Sequence, residues 1–256
     1  MSDANKLSVV IPAFNEEQVI GHNIDRLQDA LRQALPPSWS WEVIVCNNNS
    51  TDQTAAIAQE AGVQVVFESL NHISRARNTG AAVTNGQWLL FIDADSYPTP
   101  SLISDMVALI QSRLYIGCGS TVSIEGGTLF NRLRMERLNP IFRLLNIAGG
   151  VCLLCERPAF EAIGGFSTDL YAYEEFDFIQ RLKRYGKTVD RSFTVLHQNP
   201  IITSGRKGAL TLAAIVSMIG SNILALLLFV LRPVLPANWH AFIAKRGLGF
   251  WYKERK

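Results

Sequence analysis

The stretch Trp88–Asp95, with the sequence WLLFIDAD, joins an apolar run to two carboxylates. A run this apolar that stops at Ser96-Tyr97-Pro98 predicts a buried strand with an abrupt end. In an open α/β sheet, ligands bind at the carboxyl edge of the strands. Asp93 and Asp95 stand two residues apart on an extended chain, so both can address one cation. The stretch therefore predicts a Mg²⁺ site shared with phosphate oxygens, against the alternative of a polar strand end that caps a turn.

Strands and helices alternate around this run, which predicts an α/β fold with a mostly parallel, doubly wound sheet. The predicted strands are Leu7–Ile11, Glu42–Cys46, Val63–Phe67 and Gln87–Ile92, and the helices are Glu16–Leu35, Thr54–Ala61, Ile73–Val83 and Pro100–Ser112. The alternation breaks beyond Leu114, in a half expected to form the acceptor side of a cleft. Its predicted strands are Tyr115–Val122, Val151–Cys155 and Phe193–Leu196, and its helices are Leu129–Leu145 and Phe176–Tyr185.

Polar loops follow three more of the predicted strands. The first runs from Pro12 through Phe14 to Glu16, and the second is Asn47–Asp52. The third, after Val63–Phe67, carries Arg77 and Asn78 near a helix start, where they can meet a nucleotide phosphate or ribose. Since the carboxyl ends of parallel strands share one edge, these loops and the two aspartates predict a single polar crevice.

Composition narrows the class of partner and the compartment. A net charge of +2 gives no general argument for nucleic acid, so none is expected as a partner. The four cysteines lie mostly in apolar runs, and Cys152 and Cys155 have no second pair to complete a metal site. We interpret them as small buried residues of a cytosolic protein. Met1–Lys6 is polar and leads directly into a strand, which does not resemble a secretory signal.

The C-terminal part predicts contact with a membrane. Ala209–Leu231 contains no charged residue and is long enough, as a helix, to cross a hydrocarbon core of about 30 Å. Trp239, Trp251 and other aromatic residues follow it among lysines and arginines, a composition typical of membrane interfaces. A buried or partner-packed helix is the alternative. We therefore expect a catalytic domain over residues 1–205 and a membrane-associated helical segment over 206–256.

Several of these motifs, taken in order, resemble glycosyltransferase family 2. They are Leu7–Glu16 (LSVVIPAFNE), Asn49–Thr54 (NSTDQT), Ala76–Gly80 (ARNTG), Phe91–Asp95 (FIDAD), Gly164–Phe166 (GGF), Glu174-Glu175 and Arg181. The resemblance covers Leu7 to about His197. It implies a GT-A type fold and a nucleotide-sugar donor.

The resemblance also assigns expected roles on the donor side. Pro12, Phe14 and Glu16 would line the nucleoside. Asn47 and Asn48 stand where the family usually has aspartates that meet the base, and an amide donates as well as accepts, so the choice of base is open. Asp93 would contact ribose or the metal, and Asp95 would hold Mg²⁺ or Mn²⁺.

Further expected roles follow from the later motifs. Glu175 takes the place of the family's catalytic base, with Glu174 and Asp177 as nearby alternatives. His197 stands where some relatives place a metal ligand, although a structural histidine is the alternative. Arg206, or the neighbouring Lys207, lies where some relatives close a loop over the donor.

The sequence predicts a metal-dependent, inverting glycosyltransferase at the cytoplasmic face of the membrane. It would move a sugar from a nucleotide-sugar to a lipid-linked or saccharide acceptor, with membrane lipids as further partners. Two other classes remain open. A nucleotidyltransferase would need a glycine-rich basic loop after the first strand, which Pro12–Glu16 lacks. A catalytically weak binding or scaffold protein is kept open by Asn47 and Asn48.

Overall fold

The computed structural model describes residues 5–126, 139–140, 143–144, 146, 148–170 and 174–204. These residues form one sheet flanked by helices. Its strands are β1 (Lys6–Ala13), β2 (Ser40–Asn47), β3 (Gln64–Phe67), β4 (Trp88–Ile92), β5 (Ser96–Tyr97), β6 (Tyr115–Glu125), β7 (Cys152–Glu156) and β8 (Ser192–Ser204). The helices are α1 (Ile20–Ala34), α2 (Thr54–Glu60), α3 (Ile73–Ala82), α4 (Pro100–Ser112), α5 (Arg157–Ala162) and α6 (Glu174–Thr188).

The sheet is mixed, with the strand order β3-β2-β1-β4-β7-β6-β8-β5. The four strands from β3 to β4 are parallel, as predicted, because a crossover helix separates each from the next. β7 then runs antiparallel to both β4 and β6, while β6 and β8 are parallel and β5 is antiparallel to β8. The prediction of a mostly parallel sheet is therefore wrong for the second half, where strand and helix no longer alternate.

Two apolar cores lie on opposite faces of the sheet, because successive strand side chains point to opposite faces. Val9 and Ile11 of β1 pack against α1, α2 and α4, while Val10 faces the core built by α3, α5 and α6. The second core contains a cluster of four phenylalanines, in which Phe166 stacks on Phe178 at 4.2 Å between ring centroids. The helices thus cover both faces, and the carboxyl edge of the strands is left for the loops.

Most predicted elements of the first half agree with the structure to within a few residues. Two short elements, α5 and β5, were not predicted. Phe193–Leu196 is part of the longer strand β8, which continues to Ser204. The cysteines at positions 46, 118, 152 and 155 are buried, as predicted, and none of the four forms a disulfide.

Most of the predicted helix Leu129–Leu145, and the whole apolar segment Ala209–Leu231, lie outside the described residues. No helix within residues 5–204, as far as these are described, has the length and apolar character needed to cross a membrane.

Candidate active site

The loops that follow β1 and β2 are hydrogen-bonded into one wall at the carboxyl edge of the sheet. Asn15 has a φ of 53°, a left-handed conformation that asparagine tolerates better than most residues. Its side-chain oxygen accepts a bond from the Thr51 amide at 2.9 Å, and the Glu16 amide donates to Thr54 Oγ1 at 2.8 Å. Pro12 and Glu16 are buried and Phe14 is half-buried, so this predicted donor-binding loop has a fixed shape.

Asn48 is buried, and its side-chain amide bonds to the backbone of the segment that leads from β3 to α3. Its oxygen accepts from the His72 amide at 2.9 Å, while its nitrogen donates to the carbonyl oxygens of Leu70 at 2.5 Å and Glu68 at 3.3 Å. An aspartate can accept the first bond but cannot donate the other two. This accounts for an amide where the family usually has a carboxylate. A role for Asn48 in donor binding stays a prediction.

We expect Asn48→Asp to lower the free energy of unfolding by about 1–3 kcal/mol, because two carbonyl groups lose their donor and a charge is buried. Asn47→Asp is the matched control. The Asn47 side chain uses only its oxygen here, accepting from the Ser50 amide at 2.9 Å, and a carboxylate retains that bond. Urea denaturation of both variants measures the difference. Equal stability of Asn48→Asp and Asn47→Asp would contradict this account.

Asp93 and Asp95 stand at the tip of β4, as predicted. The side chain of Asp93 is 29% exposed, whereas Asp95 is buried and its Oδ1 accepts a bond from Ser96 Oγ at 3.2 Å. The backbone around them is held from both sides. Asn23 of α1 donates to the carbonyl oxygen of Ala94 at 2.8 Å, and the Ser204 amide of β8 donates to that of Asp95 at 2.9 Å.

Arg77 lies beneath this edge and is only 1% exposed. Its Nη2 is 3.2 Å from Asp93 Oδ1, and its Nη1 is 3.0 Å from Glu174 Oε1. Desolvation opposes the charge of the guanidinium, but the two carboxylates outweigh it, and the pKa of Arg77 is raised. The Arg77 side chain thus connects Asp93, the residue that follows β4, to the first turn of α6. The prediction that Arg77 meets the nucleotide remains untested.

The loop between α5 and α6 is fastened from two sides. Asn78 donates to the carbonyl oxygen of Phe166 at 2.8 Å and accepts from its amide at 2.9 Å. Gly165, with a φ of 65°, lies so close that a Cβ would be 2.7 Å from the Asn78 oxygen. Arg181 donates to the carbonyl oxygen of Gly165 at 2.7 Å and to Asp177 Oδ2 at 2.7 Å. Both predicted site residues, Asn78 and Asp177, therefore have bonds that shape this loop.

The two glutamates at the start of α6 differ in their surroundings. Glu174 is buried and paired with Arg77, whereas Glu175 keeps partial access to solvent. Desolvation, together with the neighbouring Glu174 carboxylate, raises the pKa of Glu175 to about 8, and Arg77 opposes part of this rise. A carboxyl group with a pKa near neutrality is suited to take up and release a proton.

His197 is exposed and is not grouped with the two aspartates of β4. It lies on β8 beside a cleft of about 680 Å³ whose other lining residues are Thr121, Asn139, Pro140, Arg143, Leu144 and Pro200. A metal role for His197 stays a prediction that this placement does not support. Arg206 lies outside the described residues.

The two carboxylates at the tip of β4, those of Asp93 and Asp95, fit a metal ion that arrives with a diphosphate. No three His, Cys, Asp or Glu side chains of the described residues group closely enough to hold an ion by themselves. Mg²⁺ seldom needs such a cage, since one or two carboxylates and phosphate oxygens commonly complete its shell. Asp93 and Asp95 supply those carboxylates, so the residues present are compatible with Mg²⁺ or Mn²⁺.

Sequence reasoning missed three residues that shape the site, namely Asn23, His72 and Gly150. His72 caps α3, accepting from the Ser74 amide at 3.2 Å, and its position before Ile73 could have indicated this role. Asn23 lies among the apolar positions of the buried face of α1, which is also a visible signal. The contact of Gly150 with Arg77 joins residues distant in sequence and has no local signal.

Comparisons with known proteins agree with this arrangement. The sequence model of the family described as Glycosyl transferase family 2 matches residues 8–163. The glycosyltransferase AglE of Haloferax volcanii is 26% identical over 207 residues, which cover 76% of this chain and 66% of that protein. The undecaprenyl-phosphate 4-deoxy-4-formamido-L-arabinose transferase of Salmonella choleraesuis is 26% identical over 175 residues, covering 66% of this chain and 48% of that protein.

A solved structure shares the fold. The mannosyltransferase PcManGT of Pyrobaculum calidifontis, in complex with GDP-Man and Mn²⁺, superimposes with a TM-score of 0.58 at 18% identity, covering 77% of this chain and 56% of that one. This likeness establishes a fold of the GT-A type. The chain spans from 33% to 66% of the length of the first curated relatives that it matches.

Proposed function

Because the chain belongs to glycosyl transferase family 2, we propose that it transfers a sugar from a nucleotide-sugar to an acceptor, with inversion and with a divalent metal ion. The observation that carries this proposal is the link from Asp93 through Arg77 to Glu174, beside which Glu175 has a raised pKa. The proposed donor-binding residue Asp93 and the proposed base Glu175 would then belong to one connected site, as a single displacement requires.

The donor would occupy the crevice between the wall formed by Pro12–Glu16 and Asn47–Thr54 and the tip of β4. Asp93 and Asp95 would hold Mg²⁺ or Mn²⁺, which when bound offsets the negative charge that the leaving diphosphate gains. Phe14, Asn47 and Asn48 would contact the nucleoside. Arg206 remains a candidate for the diphosphate.

Glu175 would act as the general base that takes the proton of the acceptor hydroxyl. Glu174 is engaged in its ion pair with Arg77, whereas the raised pKa of Glu175 suits that carboxyl group to accept a proton. Asp177 is the weaker candidate, because Arg181 already pairs with it at 2.7 Å.

The acceptor would be lipid-linked or a saccharide. The Salmonella relative is named for an undecaprenyl phosphate, which supports the lipid-linked class. An acceptor that is itself a phosphate needs no strong base, so the effect of removing Glu175 also distinguishes a hydroxyl acceptor from a phosphate.

The proposed function is tested by a screen of nucleotide-sugars for Mn²⁺-dependent thermal stabilisation, followed by donor hydrolysis and transfer assays with the donor that binds. We expect one donor to stabilise the chain and to be turned over. Binding without any turnover would favour the alternative of a binding or scaffold protein. Absence of binding to every nucleotide-sugar would overturn the proposal.

Turnover should depend on pH through Glu175. Since the base must be ionised and its pKa is raised to about 8, we expect kcat to increase as the pH rises from about 6 towards 8. In Glu174→Gln the neighbouring negative charge is lost, the pKa of Glu175 falls, and the rise should move to lower pH. Profiles of kcat against pH at saturating donor measure both effects. An unshifted profile in Glu174→Gln would contradict this coupling.

Residues 206–256 would hold the catalytic domain of residues 1–205 at the cytoplasmic face of a membrane, in contact with its lipids. We expect the full chain to sediment with membranes and a version ending at Gly208 to be released. Fractionation with and without detergent measures this. A full chain that stays soluble without detergent, or a shortened chain that stays bound to the same degree, would contradict the proposed anchor.

A further inference from the structure

Arg77 contacts three parts of the chain that are far apart in sequence. Its Nη2 donates to Asp93 Oδ1 at 3.2 Å and to the carbonyl oxygen of Gly150 at 3.1 Å, and its Nη1 donates to Glu174 Oε1 at 3.0 Å. The centre of the guanidinium lies 5.0 Å from the centroid of the Phe166 ring. One rigid group therefore spans the tip of β4, the turn before β7 and the first turn of α6.

The position of Arg77 favours a role behind the site over a contact with the donor. Its side chain is 2% exposed, whereas that of Asp93 is 29% exposed, so the solvent-facing surface belongs to the aspartate. A charge this deeply buried is tolerated only when it is paired, and its two carboxylate partners come from the end of β4 and the start of α6. Asp93 is itself a proposed metal ligand, and Glu174 is the neighbour of Glu175, the proposed base.

We propose that Arg77 is a positioning residue, which fastens the first turn of α6 to the tip of β4 and so fixes Glu175 relative to the bound donor. This inference rests on the proposed function, since it concerns the distance between the proposed base and the reacting sugar. A shift of about 1 Å in such a distance can lower a rate by about 100-fold.

The surroundings of Arg77 are shaped for a guanidinium. A Cβ on Gly150 would lie 2.7 Å from Arg77 Nη2, so any other residue at this position would displace the guanidinium. The Phe166 ring that covers the guanidinium is itself fixed by the two bonds of Asn78 to its backbone. A lysine in place of Arg77 keeps the charge but offers a single nitrogen, which cannot bond Asp93 and Glu174 in the same fork geometry.

Arg77→Lys separates positioning from charge and from donor binding. We expect kcat to fall by about 100-fold while the affinity for the donor, measured by calorimetry with the nucleotide-sugar found in the screen, changes by less than about threefold. Arg191→Lys is the matched control, because Arg191 also bonds a carboxylate through two nitrogens, to Glu156 at 3.0 and 2.6 Å, away from the site. That control should retain the parent kcat.

Two results of this experiment would overturn the inference. An Arg77→Lys variant with the parent kcat would show that the charge alone suffices. A loss of donor affinity as large as the loss of kcat would make Arg77 a donor-binding residue, as the sequence had suggested. A parent chain that neither binds nor transfers any nucleotide-sugar would instead overturn the proposed function.

A second measurement tests the ion pair between Arg77 and Glu174 directly and does not depend on turnover. Arg77→Met leaves the buried Glu174 carboxylate without its counterpart, and Glu174→Gln leaves Arg77 with Asp93 as its carboxylate partner, whereas the double variant removes both charges. The remaining partner, Asp93, is partly exposed and can be hydrated. We expect the double variant to melt at a higher temperature than Arg77→Met, the single variant that leaves the buried Glu174 charge unpaired. A double variant that melts lower than both single variants would overturn the proposed link.

Discussion

Replacing Glu175 with glutamine is expected to lower kcat by about 100- to 10,000-fold while the affinity for the donor remains close to that of the parent. Glutamine has nearly the same size but cannot take a proton, and a base acts only in the transition state. Single-turnover assays with a hydroxyl acceptor, together with calorimetry of donor binding, measure the two quantities separately.

The neighbouring carboxylate of Asp177 provides the control for Glu175→Gln. Asp177 accepts a bond from Arg181 at 2.7 Å and thereby supports the loop before α6. Asp177→Asn should therefore lower the melting temperature while its kcat stays close to that of the parent. Glu175→Gln with near-parent kcat, combined with an inactive Asp177→Asn that remains folded, would show that the base is misassigned. Full activity in both variants would indicate an acceptor that is already an anion.

Glu175 should also make the stability of the fold depend on pH. Because its pKa in the folded chain is raised to about 8 from an ordinary value of 4.5, the folded state holds its proton over a range in which the unfolded state has lost it. The free energy of unfolding should therefore decrease as the pH rises from about 4.5 to 8. Glu175→Gln should remove this part of the dependence.

The carboxyl edge of the site could be predicted from the sequence because each of its parts has a local signal. An apolar run followed by a polar loop identifies the end of each strand, and alternation with helices makes those strands parallel. Consequently the loops at Pro12–Glu16 and Asn47–Asp52 and the aspartates of β4 were expected at one edge, and the structure places them there.

The connections behind that edge could not be predicted, because they join residues that are distant in sequence. Arg77 and Glu174 lie 97 positions apart, and nothing near either residue indicates that they meet. The same applies to β7, which enters the sheet between β4 and β6 in the opposite direction. A buried pairing of this kind depends on the packing of several elements, which local patterns do not encode.

The sequence predicted the position of Asn48 at the end of the second strand, but not its structural role. The sequence identified it as a departure from an aspartate in a nucleoside-binding loop. The structure adds that its amide holds the backbone of Leu70 and His72, so the departure has a structural reason that holds whatever base is bound. The free energy of unfolding of Asn48→Asp measures the contribution of these bonds directly.

Replacing Asp95 with alanine is expected to abolish transfer and metal-dependent donor binding while the fold is retained. The carboxylate lies at the tip of β4 beside Asp93, where it would meet the ion that offsets the charge of the leaving diphosphate, and losing one such contact commonly lowers kcat by about 100- to 1,000-fold. Asp95→Asn removes the charge and keeps the bond from Ser96 Oγ, which an asparagine oxygen can still accept.

Calorimetry with and without Mn²⁺ distinguishes loss of the metal from loss of the fold in these variants. The matched control is Asp105→Asn, because Asp105 is a half-buried carboxylate on α4 that also accepts a bond from a neighbouring side chain, Asn199 at 2.8 Å, outside the proposed donor crevice. It should bind the donor and respond to Mn²⁺ as the parent does. Equal Mn²⁺-dependent donor affinity in the parent and in both Asp95 variants would show that the ion, if the reaction uses one, is not held by Asp95.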